Sequence, residues 1–395
     1  MTVHHAPTKV VVIGGGYAGT LAANHLRLCS DVDITLVNPR PKFVERIRLH
    51  QLAAAGRDAT VDYGTLLGEG VRLVVDTASR IDTAGRKVRL ASGAQLEYDY
   101  VIYAVGSTGA LPETVSGATE FAYPVAELEQ ADRLRAELDN LHPAAPVTVV
   151  GAGLTGTETA AELAERGRNV TLVCGGGLLP AFSEAGRRSA ARWLRRRGVA
   201  VLEQDTVAEV RAGAVVFADG AVRPSALTIW ATGFGVPDLA SVSGLATDEI
   251  GRLLTDETLT SVDDPRVVAA GDCAAPSGEP LRMCCASASQ LAPQAANTVL
   301  SSIAGQRPAD IEYAFAGSCI SLGRSSGILQ FARKDDAPVP VYIGGRVGAA
   351  LKEGICKGTL WGLRRGARKP GSAIWFKGGP RPGRPTVRSR TFAQP

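Results

Sequence analysis

Gly14, Gly16 and Gly19 stand directly after the apolar run KVVVI, and Gly151, Gly153 and Gly156 stand directly after VTVV. Both triplets spell G-x-G-x-x-G, with Tyr17 and Ala18 filling the variable positions of the first. That spacing serves one kind of chemistry, the holding of a pyrophosphate. The first glycine permits a tight turn, the second lets the backbone approach the phosphates, and the third lets the following helix pack on the strand. Free N–H groups and the positive end of a helix dipole face the anion, so no charged side chain is needed. One such triplet is a weak signal. Two, each set between similar elements, are a strong one.

The turns work only if each is held between a buried strand and a helix. KVVVI is apolar at every position, as a parallel strand covered on both faces requires. After Gly19, TLAANHLRL has helical spacing, and DITLVN (33–38) reads as the next strand. The second copy repeats the layout with TETAAELAERG and NVTLVC. The expected fold is α/β with two Rossmann-like dinucleotide-binding domains. The pair of dinucleotides that makes chemical sense is a flavin and a nicotinamide, one passing a hydride to the other. An acid at the end of the second strand usually binds the ribose hydroxyls; here the two copies carry Asn38 and Cys174. The Asn38 amide oxygen can still accept a hydrogen bond from a ribose. Cys174 is a poor partner, which weakens rejection of a 2′-phosphate and leaves both NADH and NADPH open, with Arg187 and Arg188 downstream.

A chain of 395 residues implies two or three domains. No apolar run approaches the roughly 18 residues of a membrane-spanning helix. MTVHHAPTK is too short for a signal peptide, and seven cysteines without an export signal suggest reduced thiols in a cytoplasm. The five histidines lack metal-ligand spacing, so no metal is expected. Charge is uneven: Ala350 to Pro395 holds eleven Lys/Arg against one acid, Glu353. The last stretch, KGGPRPGRPTVRSRTFAQP, reads as a solvated, disordered tail. Nucleic-acid binding through Arg381, Arg384, Arg388 and Arg390 would lack any aromatic stacking platform, and is not expected.

These motifs resemble those of the two-dinucleotide-binding flavoproteins of the pyridine nucleotide-disulfide oxidoreductase superfamily, which are glutathione reductase-like in fold. DYVIYAVGSTG (99–109, with Gly106) and LTIWATGFG (227–235, with Gly233) resemble the strands and small-residue turns by which that superfamily crosses between domains. RVVAAGDCA (266–274, with Gly271) resembles its second flavin motif, in which Asp272 would bind a ribitol hydroxyl of FAD. The resemblance implies an FAD-binding domain from 1–112 and 231–310, an inserted NAD(P)H-binding domain 113–230, a small C-terminal α+β interface domain 311–379, and a basic tail 380–395. Within the superfamily the chain is similar to type II NADH dehydrogenases and related quinone reductases. SQLAPQAAN (289–297) resembles A-Q-x-A-x-Q, with Ser289 for Ala, and AGSCISLGRSSGILQF (316–331) resembles G-S-x-x-x-L-G-R. FVERIRLHQLAAAG (43–56), which includes Arg46, sits where relatives approach the flavin.

The resemblance implies hydride transfer from NADH or NADPH to FAD, then electron transfer to a quinone-type or other small-molecule acceptor. A soluble reductase for a ferredoxin or a specialised metabolite is the alternative. Gln290 and Gln294 share one helix face and could hydrogen-bond the flavin ring or a quinone carbonyl. Pro293 fits the first helical turn, so this helix is expected to begin near Ser289 with its N-terminus toward the flavin. Glu158 is placed near the nicotinamide carboxamide. Lys352 matches a C-terminal lysine near the flavin of relatives, although a surface lysine is the plainer reading. The cysteines show neither C-x-x-C nor C-x-x-x-x-C; Cys284, Cys285, Cys319 and Cys356 read as inert thiols. Aromatic and basic residues over 355–379 suit peripheral contact with a membrane, and a homodimer is a superfamily habit.

Overall fold

Apolar β-branched runs become parallel strands when helices cover both faces, and this chain does so twice. The computed structural model describes residues 6–379 and 381. β1 (Thr8–Ile13) leads through the first glycine turn into α1 (Tyr17–Leu26), and β2 (Val32–Asn38) returns beside β1. The short helix α2 (Leu49–Ala55) follows. β3 (Val71–Val75) pairs with β2, and β4 (Tyr100–Tyr103) pairs with the other edge of β1.

The chain then leaves this sheet and builds a second from β5 (Ala122–Pro124), β6 (Pro146–Val150), β7 (Asn169–Val173), β8 (Ala200–Leu202) and β9 (Leu227–Trp230). All are parallel, in the order β5-β9-β6-β7-β8. The second glycine turn joins β6 to α3 (Leu154–Glu165). β10 (Val267–Ala269) comes back beside β4, completing β10-β4-β1-β2-β3. The second sheet is thus inserted into the unit that carries the first. Its entry and exit, Thr108–Gly109 and Phe234–Gly235, pair antiparallel and tie the two crossings together.

α4 (Cys285–Ile303) packs on α1. β11 (Gly317–Leu322), β12 (Ser326–Ala332) and β13 (Pro338–Gly344) form an antiparallel sheet, and α5 (Gly345–Arg368) lies across β12 and reaches α1. Two expectations need correction. α4 starts four residues before Ser289, at Cys285, because Cys284 is still extended (φ −166°, ψ 163°). Pro293 therefore sits inside the helix, not in its first turn. A mid-helix proline costs about 3 kcal/mol; α4 tolerates it because Leu291, Ala292, Ala295, Ala296 and Val299 are all buried against the first unit. Among the described residues no helix is long and apolar enough to cross a membrane.

Candidate active site

Both glycine turns have the geometry their spacing requires. Gly14 has φ +103° and Gly151 φ +104°. A Cβ on Gly19 would lie 1.8 Å from the Gly14 carbonyl oxygen, and one on Gly156 would lie 1.8 Å from that of Gly151. Helix and strand touch there, so no side chain fits. Gly16 and Gly153 differ: a Cβ on either meets nothing within 4 Å. Their side is open, as a cradle for a ligand must be. Each also caps the following helix, α1 or α3, whose first N–H groups face that opening.

Asn38, expected to meet a ribose, supports the turn itself. Its Oδ1 accepts the Gly15 N–H at 2.9 Å, and its Nδ2 donates to the Arg40 carbonyl at 2.7 Å. The Tyr63 hydroxyl donates to the Gly15 carbonyl at 2.7 Å. Cys174 lies just past β7, and burial pushes its thiol up to about 12. Arg188 is paired with Glu184 on its own helix (2.9 Å), well exposed.

A cavity of about 850 Å³ opens between the two sheets and the C-terminal elements. Gly14, Gly16, Tyr17, Ala18 and Asn38 line one end, with Arg46, Gly106, Gly233, Gly271 and Asp272 along its length. Glu158 and Gln290 line it too, whereas Gly19, Gly151, Gly153, Gly156, Cys174, Ser289 and Gln294 lie outside its wall. Asp272 shows what the cavity is prepared to hold. Its Oδ2 accepts the Ser107 hydroxyl at 2.7 Å, and Ser107 in turn accepts from Arg46 at 3.1 Å. Its Oδ1 is buried with no protein partner. Such an oxygen calls for a donor from a ligand, and a ribitol hydroxyl of FAD is one. The open cradle at Gly16 fits the pyrophosphate of the same molecule.

Deeper in, three buried ionisable side chains meet from three helices. Glu158 of α3 accepts at Oε1 from Lys352 Nζ of α5 (3.0 Å), from the Ser321 N–H (2.9 Å) and from the Ser321 hydroxyl (3.1 Å). His50 of α2 places Nδ1 3.8 Å from Glu158 Oε2, and its Nε2 is buried without a protein partner. Burial alone would raise the Glu158 carboxyl, but the Lys352 ammonium, with the Ser321 N–H, holds it below its ordinary value. Burial alone would lower Lys352; Glu158 overrides it and keeps the ammonium charged. His50 is neutral, lowered to about 4 by burial against the pull of Glu158. The plainer reading of Lys352 as a surface lysine is therefore wrong: its side chain is 13% exposed and lines the cavity. The pairing escaped sequence reading because its members are far apart and individually ordinary.

The two glutamines are engaged differently from the expectation. Gln294 donates to the Gln290 and Glu312 carbonyls (2.8 and 2.9 Å) and accepts from the Glu312 N–H (2.7 Å). Gln290 accepts the Phe376 N–H at 3.1 Å and donates to the Ala314 carbonyl at 3.3 Å. Their amides fasten the segment 312–314 and Phe376 to α4. What α4 presents to the cavity is its N-terminus: Met283, Cys284, Cys285 and Ala286 are in the wall. Cys319 also lines it. Burial pushes Cys285 up to about 12 and raises Cys319, so both are protonated at neutral pH and poor nucleophiles.

Two Rossmann-like units, one inserted in the other and sharing a cavity with an unsatisfied carboxylate oxygen, define a flavoprotein that brings two dinucleotides together. The chain belongs to the pyridine nucleotide-disulphide oxidoreductase family, which matches residues 8–298. It is an oxidoreductase, and FAD and NAD(P)H are its cofactors. An NADH dehydrogenase-like protein of Mycobacterium tuberculosis is 33% identical over 296 residues, 68% of this chain and 73% of that one. The type II NADH:quinone oxidoreductase of Staphylococcus haemolyticus is 27% identical over 403 residues, covering 88% of this chain and 98% of that one. In fold the chain is similar to the sulfide:quinone oxidoreductase of Aquifex aeolicus (TM-score 0.78, 22% identity, 92% and 93% covered).

Proposed function

We propose that the protein is an NAD(P)H:quinone-type oxidoreductase. The observation that carries this reading is the charged Lys352–Glu158 pair in a cavity wall that also includes Phe315, Leu329, Phe331 and Ile355. Converting a quinone to a quinol takes two electrons and two protons. NAD(P)H gives up a hydride, which is two electrons and one proton, so the second proton comes from solvent, and a charged N–H donor steadies the oxygen that receives it. A one-electron iron–sulfur acceptor needs neither. Bound FAD supplies the relay between hydride donor and acceptor.

This chain's own residues do the rest. Lys352 offers an N–H to a carbonyl oxygen that gains negative charge, in a water-poor site where such a donor is most effective. Glu158 fixes the position of Lys352, and Ser321 fixes Glu158. The N-terminus of α4 brings the positive end of a helix dipole to the same wall. The names of the two sequence relatives support an NADH-linked reaction.

The surface beside the cavity mouth suits an acceptor that arrives from lipid. α5 exposes Val347, Leu351, Ile355 and Trp361, and beyond it Ile374 and Phe376 are exposed as well. Lys357, Arg364, Arg365 and Arg368 accompany them on the same helix. Ile355 and Phe376 also line the cavity, so peripheral contact with an anionic bilayer would put lipid next to the opening. Flotation with anionic liposomes tests the contact, and failure to float removes it.

The decisive experiment is anaerobic. The yellow protein is bleached with NADH or NADPH, then mixed with quinones, a ferredoxin, or oxygen. Fast reoxidation by quinones supports the reading. Reoxidation by ferredoxin with no response to quinones refutes it.

A further inference from the structure

Beyond α5 the described residues, 369–379 and 381, form no helix or strand, and Phe376 among them lines the cavity. The chain bends at Gly371 (φ +72°), close enough to Leu28 that a Cβ there would lie 2.9 Å from the Leu28 side chain. The Phe376 N–H is held by Gln290 Oε1 at 3.1 Å. Gly378 lies flat on the Tyr313 carbonyl, where a Cβ would come within 1.9 Å of the oxygen. Then comes Arg381, whose side chain is only 5% exposed. Its guanidinium donates to the Glu279 carbonyl (3.0 Å) and the Pro276 carbonyl (3.1 Å), pairs with Glu257 (3.1 Å), and stands 6.0 Å from the centroid of the Tyr313 ring. The tail expected from residue 380 onward thus begins with an anchored residue. Arg384, Arg388 and Arg390 lie outside the described residues.

We propose that residues 371–379, with Arg381, form a latched strap, with Phe376 as the residue that selects the electron acceptor and Arg381 as the latch that positions it. The proposal deepens the acceptor reading and rests on it. Phe376 is 60% exposed yet lines the cavity, so its ring forms part of the rim. Ile355 lines the same cavity and is exposed as well, so an acceptor entering there meets apolar side chains from both α5 and the strap. Among the described residues the middle of the strap pairs with no strand, so the ring stays at the rim only while the ends are tied. Gln290 ties it near the ring, and Arg381 ties its far end with a planar fork that a lysine cannot reproduce.

The test compares wild type with Phe376→Ala, Arg381→Ala and Arg381→Lys, each loaded with FAD. Three quantities are read: bleaching rate by NADH, KM and kcat for a short-chain quinone and for ferricyanide, and tryptic cleavage after Lys377. In Phe376→Ala and Arg381→Ala, the KM for the quinone is expected to rise about tenfold. Bleaching by NADH and the ferricyanide rate, which needs no pocket, should stay within twofold. Cleavage after Lys377 should accelerate at least tenfold in Arg381→Ala and by an intermediate factor in Arg381→Lys. Unchanged cleavage in Arg381→Ala overturns the latch. Equal losses with quinone and ferricyanide in Phe376→Ala overturn the selecting role. If wild type is bleached by NADH but reoxidised by no quinone, the acceptor reading fails, and the selecting role falls with it; the cleavage rates still decide the latch.

Discussion

Lys352→Met is the substitution that most directly probes the centre of the cavity. It keeps an unbranched side chain one atom shorter and removes the charge. Glu158 is then left with the Ser321 N–H and hydroxyl and a neutral His50. Removing one partner of a buried pair costs about 3–5 kcal/mol, or roughly 10²- to 10⁴-fold in the folding equilibrium at 1.36 kcal/mol per factor of ten. The pH dependence follows from the carboxyl. In the wild type it is held low by Lys352, so its contribution is present above the ordinary carboxylate range and is lost as pH falls. In the variant burial prevails and the folded carboxyl sits above its unfolded value. A group raised in this way destabilises progressively as pH rises from the unfolded value of 4.5. The gap between wild type and variant should therefore be widest near pH 8 and narrow toward pH 5. The double variant Lys352→Met/Glu158→Gln removes both charges and should recover most of the loss. Lys357→Met, at a side chain 71% exposed, should cost under about 1 kcal/mol. The measurement is guanidinium unfolding of the FAD-loaded protein, followed by flavin fluorescence and far-UV circular dichroism at several pH values. If Lys352→Met behaves like Lys357→Met at neutral pH, or its deficit does not change with pH, the pair does not hold the site as described.

Three further outcomes are expected. Asp272→Ala should release FAD at least tenfold more readily on ultrafiltration, because its free oxygen is the unsatisfied acceptor in the cavity wall; unchanged retention would assign that oxygen no ligand. Gly16→Ala and Gly153→Ala meet no protein atoms, so both should fold. Titration should then show weaker FAD binding in the first, and a higher KM for the nicotinamide with normal FAD content in the second. His50 is lowered from 6.5 to about 4, so the unfolded chain binds a proton that the folded one refuses between those values. Stability should fall by about 3 kcal/mol as pH drops through that window, and His50→Gln should flatten the slope; parallel curves would show that His50 is not buried neutral.

What could be read from the sequence was what is local. A glycine turn is written in consecutive residues because its cause is local: Gly14 must have positive φ, and Gly19 must lack a Cβ beside the residue that precedes it by one turn of chain. The insertion of one unit in the other had no such local mark; it was expected only from the resemblance of 99–109, 227–235 and 266–274 to the crossings and second flavin motif of the superfamily. Pro293 misled because propensity is a local rule and α4 answers to burial: its apolar face is packed against α1, and that outweighs the lost backbone bond. Glu158 and Lys352 were placed near the cofactors only by the resemblance, and neither their pairing nor the part of His50 had a local mark. Each comes from a different helix, and their shared environment exists only after α5 has folded back over β12 and brought Lys352 to Glu158. The same holds for Arg381, which composition assigns to a solvated tail and three backbone and side-chain acceptors hold in place. Phosphate cradles can be read in a line of sequence because backbone atoms do the binding. Buried ion pairs are made by tertiary packing, and the Glu158–Lys352 pair in this cavity wall belongs to the second kind.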